Sequence, residues 1–102
     1  MIRLLSERRD AIAELCRRHR VRRLEVFGSA ASGSFDPDTS DLDFLVEFLP
    51  LGPGERADAY FGLLENLRDL LGRPVDLVMT RAIRNPYFRQ AIERTREVLY
   101  AA

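Results

Sequence analysis

VFGSAASGSFDPDTSDLDFLVEF, residues 26–48, holds a Gly-Ser that closes one apolar run and an Asp-x-Asp that opens another. Upstream, Leu24 and Val26 alternate with Arg23 and Glu25, the period of a strand over Val21 to Phe27 that Gly28-Ser29 ends abruptly. Residues 32–40 are turn-forming throughout. From Asp41 to Phe48 the alternation resumes: Leu42, Phe44, Val46 and Phe48 face one way, Asp41, Asp43, Leu45 and Glu47 the other. Asp41 and Asp43 therefore project from one face, with Cα atoms ~6.6 Å apart. Carboxylates that close repel, and beside an apolar strand a cation must neutralise them. Oxygen-only ligands of this charge suit Mg²⁺ or Mn²⁺. A bare Asp-x-Asp is more often a solvated turn pair. Here the pair opens an apolar strand, and a Gly-Ser stands twelve residues upstream at the end of a neighbouring one. Glycine lets a phosphate approach the backbone, and the following N–H groups with the Ser29 hydroxyl can donate to its oxygens.

Outward from this stretch, Leu5, Ile12, Leu15 and Cys16 predict one amphipathic helix over residues 2–19. Ala57, Tyr60, Phe61, Leu64, Leu67 and Leu71 mark a second from Glu55 to Leu71, with Gly72 at its C-cap. Residues 74–80 read as a short strand with Asp76 and Val78 on one face, which makes Asp76 the natural third carboxylate. Pro86 suits the first turn of a last helix running to about Tyr100, with Phe88, Ala91, Ile92, Thr95, Val98 and Leu99 inward. The order helix, strand, strand, helix, strand, helix predicts an α/β domain: a mixed sheet of three or more strands, helices packed on one face, and an acidic site at the sheet edge.

At 102 residues the chain fits one domain, and 46% hydrophobic with 31% charged residues reads as soluble and globular. No apolar run approaches the ~20 residues that span a membrane, and the N-terminus lacks the pattern of a signal peptide. A lone Cys16 forms no internal disulfide, so the expected location is cytoplasmic. All sixteen basic residues are arginines; without lysine there is no Schiff base and no Walker-type phosphate loop. One histidine, His19, excludes a two-histidine metal site and reads as a cap or surface residue. Cys16 reads as core. Net charge is zero but uneven, with an acidic centre between arginine-rich ends. The cluster Arg17, Arg18, Arg20, Arg22 and Arg23 lacks interleaved aromatics, so a solvent face or partner surface is expected, and no direct nucleic-acid binding.

Taken together, residues 26–48, with RPVDLVM at 73–79 and NPYFRQAIERTREVLY at 85–100, resemble the minimal nucleotidyltransferase family of the polymerase-beta superfamily. The resemblance covers nearly the whole chain and implies one nucleotidyltransferase domain over 1–102. It implies that Gly28 and Ser29 bind the triphosphate of ATP and that Asp41 and Asp43 bind the metal. Asp76 would complete the metal site and act as, or support, the base that activates the acceptor hydroxyl. Ser40, just before Asp41, is a further candidate for phosphate or a metal-bound water. Two features depart from the family pattern. Ser32 stands where Arg is usual, which removes a bidentate phosphate donor, and the interval from Ser29 to Asp41 is one residue longer.

The resemblance also implies a partner. Minimal nucleotidyltransferases act as antitoxins paired with HEPN-type toxins, in characterised systems by adding AMP to a toxin tyrosine. Three functions are consistent with these residues. The first is AMP transfer to a HEPN-type toxin in a hetero-oligomer. The second is an antitoxin that masks its toxin by binding alone. The third is a subunit of a small-molecule, aminoglycoside-like nucleotidyltransferase, which ranks last because no acceptor-binding second domain is evident.

Overall fold

Strand β1 (Val21–Phe27) is the hinge of the architecture, because it carries a partner on each side. The computed structural model describes residues 1–36, 38 and 40–102; Pro37 and Thr39 of the turn segment lie outside the described residues. Two helices, α1 (Arg3–Glu7) and α2 (Arg9–Arg18), precede β1, and a single short helix, α3 (Ser29–Ser32), follows it. Then come β2 (Leu42–Phe48), α4 (Glu55–Leu71), β3 (Val75–Met79), a 3₁₀ turn over Thr80–Ala82, α5 (Pro86–Thr95) and β4 (Glu97–Ala101). The sheet order is β3-β2-β1-β4, with β2 and β3 parallel and the other neighbours antiparallel. This is the expected α/β domain with a mixed sheet and helices packed on its core face, while Ile92 of α5 packs with Phe27 and Leu45 on the other.

The alternation read in β2 decides which side is core. Leu42, Phe44 and Val46 are wholly buried beside Leu24 and Val26 of β1, under Leu5, Ile12 and Cys16 from α1 and α2 and Leu63 and Leu67 from α4. Each such side chain contributes roughly 1.5–3 kcal/mol by leaving water. A parallel β2–β3 pair needs a long crossover, and α4 supplies it. Gly72 ends α4 in the left-handed region (φ 64°), its N–H donating to Arg68 O at 2.8 Å, as its placement at the C-cap predicts. Both edge strands have backbone carbonyls engaged by side chains. On β3, Tyr60 donates its hydroxyl to Leu77 O and Arg68 reaches Val75 O; on β4, Arg9 reaches Val98 O.

Three expectations need correction. The helix expected over residues 2–19 is two helices, broken at Arg8 (φ −100°, ψ 11°); no side chain there explains the break. In α4 the bounds are as expected but the inward stripe is Ala59, Leu63, Leu67 and Leu71, while Ala57 faces solvent and Phe61 is 63% exposed. The helix expected to reach Tyr100 stops at Thr95, and residues 97–101 form β4 instead. The stripe through Val98 and Leu99 is a sound helical pattern, but β1 has an unpaired edge. Glu25 pairs with Val98 and Leu24 with Tyr100 across it, so tertiary pairing overrides local periodicity. Within α5 only Ile92 of the expected inward set is buried; Phe88 and Ala91 are exposed.

The corrected face of α4 has a measurable consequence. Leu67→Ala should cost about 2–5 kcal/mol in chemical denaturation. Phe61→Ala, on the exposed side, should change stability by no more than about 0.5 kcal/mol. Equal losses would restore the stripe expected from sequence.

Candidate functional site

Register places the acidic residues. Phe27 on β1 lies opposite Asp43 on β2, and Asp43 lies beside Asp76 on β3, so the three side chains form one row on the face away from the main core. Asp43 is half-buried and Asp76 exposed on the edge strand. Asp41 lies one residue before β2 and is exposed, so it is not the in-strand neighbour that the alternation implied. Its charge still reaches the row. Burial pushes the Asp43 carboxyl up to about 6, and the charges of Asp76 and Asp41 act in the same direction. Among the described residues no three His, Cys, Asp or Glu side chains already stand close enough to ligate one ion. The two observations are compatible, because charges act over longer distances than metal–oxygen bonds, and like charges with nothing between them favour separation.

Gly28 closes β1 beside this row. Its φ of 72° with ψ of −148° suits glycine alone, and a Cβ there would come within 2.9 Å of Asp43 Oδ2. A side chain there would push the Asp43 carboxylate aside and strain the turn. The Gly28 N–H donates to Thr95 Oγ1 at 2.9 Å, which ties the turn to the end of α5. Ser29 begins α3 and is half-buried; its hydroxyl makes no hydrogen bond among the described residues. Ser40 is differently occupied. Its hydroxyl accepts from the Asp36 N–H at 3.0 Å and its own N–H donates to Asp36 O at 2.9 Å, which folds the approach to β2 on itself. Ser32 ends α3, exposed, with its hydroxyl 2.9 Å from that of Ser34.

The opposite side of this face contains residues that sequence reasoning missed. Glu25 is 2% exposed and is held by Arg23 (2.8 Å) and by both carboxylate contacts of Arg96 (2.9 and 3.1 Å). The alternation of β1 sets it on the side opposite Leu24 and Val26, with no sign of a buried partner. Phe88, on the first turn of α5, meets Phe27 edge-on with centroids 6.0 Å apart. Thr95 also donates to Ala91 O at 3.3 Å and Arg96 also pairs with Glu93, but their contacts with β1 join residues 67 and 71 apart, which no local pattern signals.

The remaining candidates are structural. Cys16 is wholly buried, and burial pushes its thiol up to about 12, an inert core group. His19 caps α2, and its Nε2 lies 2.7 Å from Asn66 Nδ2; burial first, then Arg18, holds its pKa below the usual histidine value. Of the five clustered arginines, Arg17, Arg20, Arg22 and Arg23 pair with Glu14, Glu55, Glu47 and Glu25. Among the described residues no helix is long and apolar enough to cross a membrane.

Comparison with known proteins matches this arrangement to a family. The nucleotidyltransferase-domain family model matches residues 8–99. The chain belongs to that family. A candidate protein adenylyltransferase of Methanocaldococcus jannaschii is 38% identical over 95 residues, 87% of this chain and 91% of that one. A solved structure of a candidate minimal nucleotidyltransferase superposes with a TM-score of 0.73 at 39% identity, covering 91% of this chain and 90% of that one. A chain from the complex of tri-AMPylated Shewanella oneidensis HEPN toxin with MNT antitoxin shares the fold, with a TM-score of 0.65 at 20% identity over 96% of this chain and 73% of that one.

The carboxylate row has a cost that can be measured. A group with its folded pKa above the unfolded value contributes stability that is full below about pH 4. That contribution is lost as pH rises through about 6, the value for Asp43. Asp43→Asn should therefore match the parent protein near pH 4 and be more stable near pH 8 by about 1 kcal/mol, after allowance for solvent screening. Denaturation in chelator-containing buffer across this range reads it; a variant that is less stable at high pH would contradict the coupling.

Proposed function

We propose that this domain transfers AMP from ATP to a protein hydroxyl, most specifically a tyrosine of a HEPN-type toxin, and so acts as the antitoxin. The observation that carries the proposal is the row of Asp43 and Asp76 facing a glycine turn whose backbone conformation other residues rarely adopt. The relatives support the acceptor class: the Methanocaldococcus jannaschii protein is a candidate protein adenylyltransferase, and a HEPN toxin in the shared-fold complex carries AMP. Residues 1–102 are read as one nucleotidyltransferase domain, a reading supported by the single sheet, which the helices cover from both faces.

The donor set fits a hard divalent cation. Asp41, Asp43 and Asp76 are all carboxylates, and the Asp43 carboxyl is pushed up first by burial and then by the charges of Asp76 and Asp41, both of which a bound cation would offset. These three would hold Mg²⁺ or Mn²⁺, which when bound neutralises phosphate charge and aligns the triphosphate. Gly28 would let the triphosphate approach the backbone and Ser29 would donate its N–H and hydroxyl to it, while Thr95 holds the Gly28 N–H from behind. Ser40, tied to Asp36, would shape the loop that delivers Asp41 and offer its remaining hydroxyl capacity to phosphate or water. Asp76, exposed at the sheet edge, stands where an incoming acceptor arrives and would take its proton. The acceptor oxygen bonds to the α-phosphorus, the bond to the β-phosphate oxygen breaks, and pyrophosphate leaves.

Incubation with a HEPN-type toxin, Mg²⁺ and labelled ATP should add one AMP per modified tyrosine by mass spectrometry. Asp41→Asn with Asp43→Asn should abolish both the transfer and metal-dependent ATP binding. Label appearing on RNA would overturn the proposal.

Ser32 favours a second reading, in which the toxin is masked by contact alone. Its hydroxyl is bonded to Ser34, and the position offers no cation to the triphosphate. Ser32→Arg should tighten ATP by roughly 1.5–3 kcal/mol in calorimetry if the new guanidinium reaches phosphate. Unchanged affinity would mean that α3 presents this position away from the nucleotide. A toxin bound and silenced without label would establish the binding-only antitoxin.

A further inference from the structure

At the end of β2 farthest from Asp43, a cavity of about 350 Å³ opens among Arg22, Phe48, Leu51, Arg56, Met79 and Arg81. Arg22 is paired with Glu47 at 3.8 Å, but Arg56 and Arg81 make no ion pair or hydrogen bond among the described residues. Arg56 stands in the first turn of α4, where the positive end of the helix dipole disfavours a cation, so its place gains the helix nothing. Arg81 belongs to the 3₁₀ turn that leaves β3. Two elements far apart in sequence thus turn uncompensated guanidinium groups onto one hollow with apolar walls.

We infer that this cavity is a docking cleft for a segment of a partner protein in which carboxylates alternate with large apolar side chains. Guanidinium groups bind carboxylates through paired hydrogen bonds, and Arg is enriched among residues that dominate interface energies. Phe48, Leu51 and the adaptable Met79 offer surface to apolar side chains that a polyphosphate chain would leave uncovered. Glu47 in the same lining repels a dense run of phosphates. The cleft and the carboxylate row occupy opposite ends of β2, so a partner held here leaves Asp41, Asp43 and Asp76 open. The inference stands apart from the proposed transfer and survives its failure.

The test is fluorescence anisotropy with a labelled peptide of about eight residues alternating Glu with Leu and Phe. Arg56→Glu with Arg81→Glu should weaken binding by at least roughly tenfold at low salt. Arg84→Glu with Arg94→Glu, the same change of charge at exposed positions on other segments, should weaken it far less. ATP binding by calorimetry should be equal in both variants. Four results would each overturn the inference: no binding at millimolar peptide, equal losses in the two variants, tighter binding of single-stranded RNA of matched charge, or sedimentation showing self-association that the peptide blocks. The last would make a second copy of this chain the occupant.

Discussion

Parallel pairing of β2 with β3 is the constraint on which the rest depends. It places Asp43 beside Asp76 while Leu42, Phe44 and Leu77 enter the core. Side chains alternate with a period of two, so a slip of one residue would bury Asp43 among leucines and present Phe44 to solvent. The core face forbids that slip. α4 enforces the pairing by its length and by its ends: Gly54 and Gly72 both take left-handed conformations where the chain turns into and out of the crossover. The acidic row is thus a by-product of hydrophobic registration, and its electrostatic cost is borne by a well-packed opposite face.

A second constraint links the site to the chain's last strand. Glu25 is buried between two arginines, and Arg96 stands between α5 and β4. Removal of both arginines would leave the buried Glu25 carboxylate uncompensated, at a cost of about 3–5 kcal/mol. Arg96 follows Thr95 directly, and Thr95 accepts the Gly28 N–H. The ion pair therefore anchors the backbone that steadies the glycine turn. A disturbance at Glu25 would travel to Gly28 through three consecutive contacts, without touching any group in the acidic row.

Much of this was legible in the sequence because it is local. The bounds of β1 and of α4 follow from hydrophobic period and from Gly72, and the row was foreshadowed by Asp-x-Asp and by the alternation around Asp76. What escaped was decided by distant partners. Residues 97–101 satisfy a helical stripe as well as a strand, and only the open edge of β1 selects between them. The burial of Glu25 could not be read locally because Arg96 lies 71 residues away in sequence. Phe61 counted toward the apolar face of α4, although its ring is largely exposed and meets Tyr60 in a T-shaped contact. Asp41, outside the strand, keeps its charge near Asp43 without the fixed orientation that the alternation implied.

The side-chain donors on the two outer strands bear on how this domain can be recognised. Tyr60 and Arg68 occupy carbonyls of β3, and Arg9 occupies one of β4. An extended chain seeking to lengthen the sheet would have to displace them and strand their polar groups. Growth into ribbons or fibrils through either margin is thereby discouraged, and a companion molecule must read loops, helix flanks and hollows. Such recognition depends on individual side chains and not on generic backbone. Closely related pairs sharing one cell could then remain insulated from one another by a few substitutions on those flanks, with the fold left untouched.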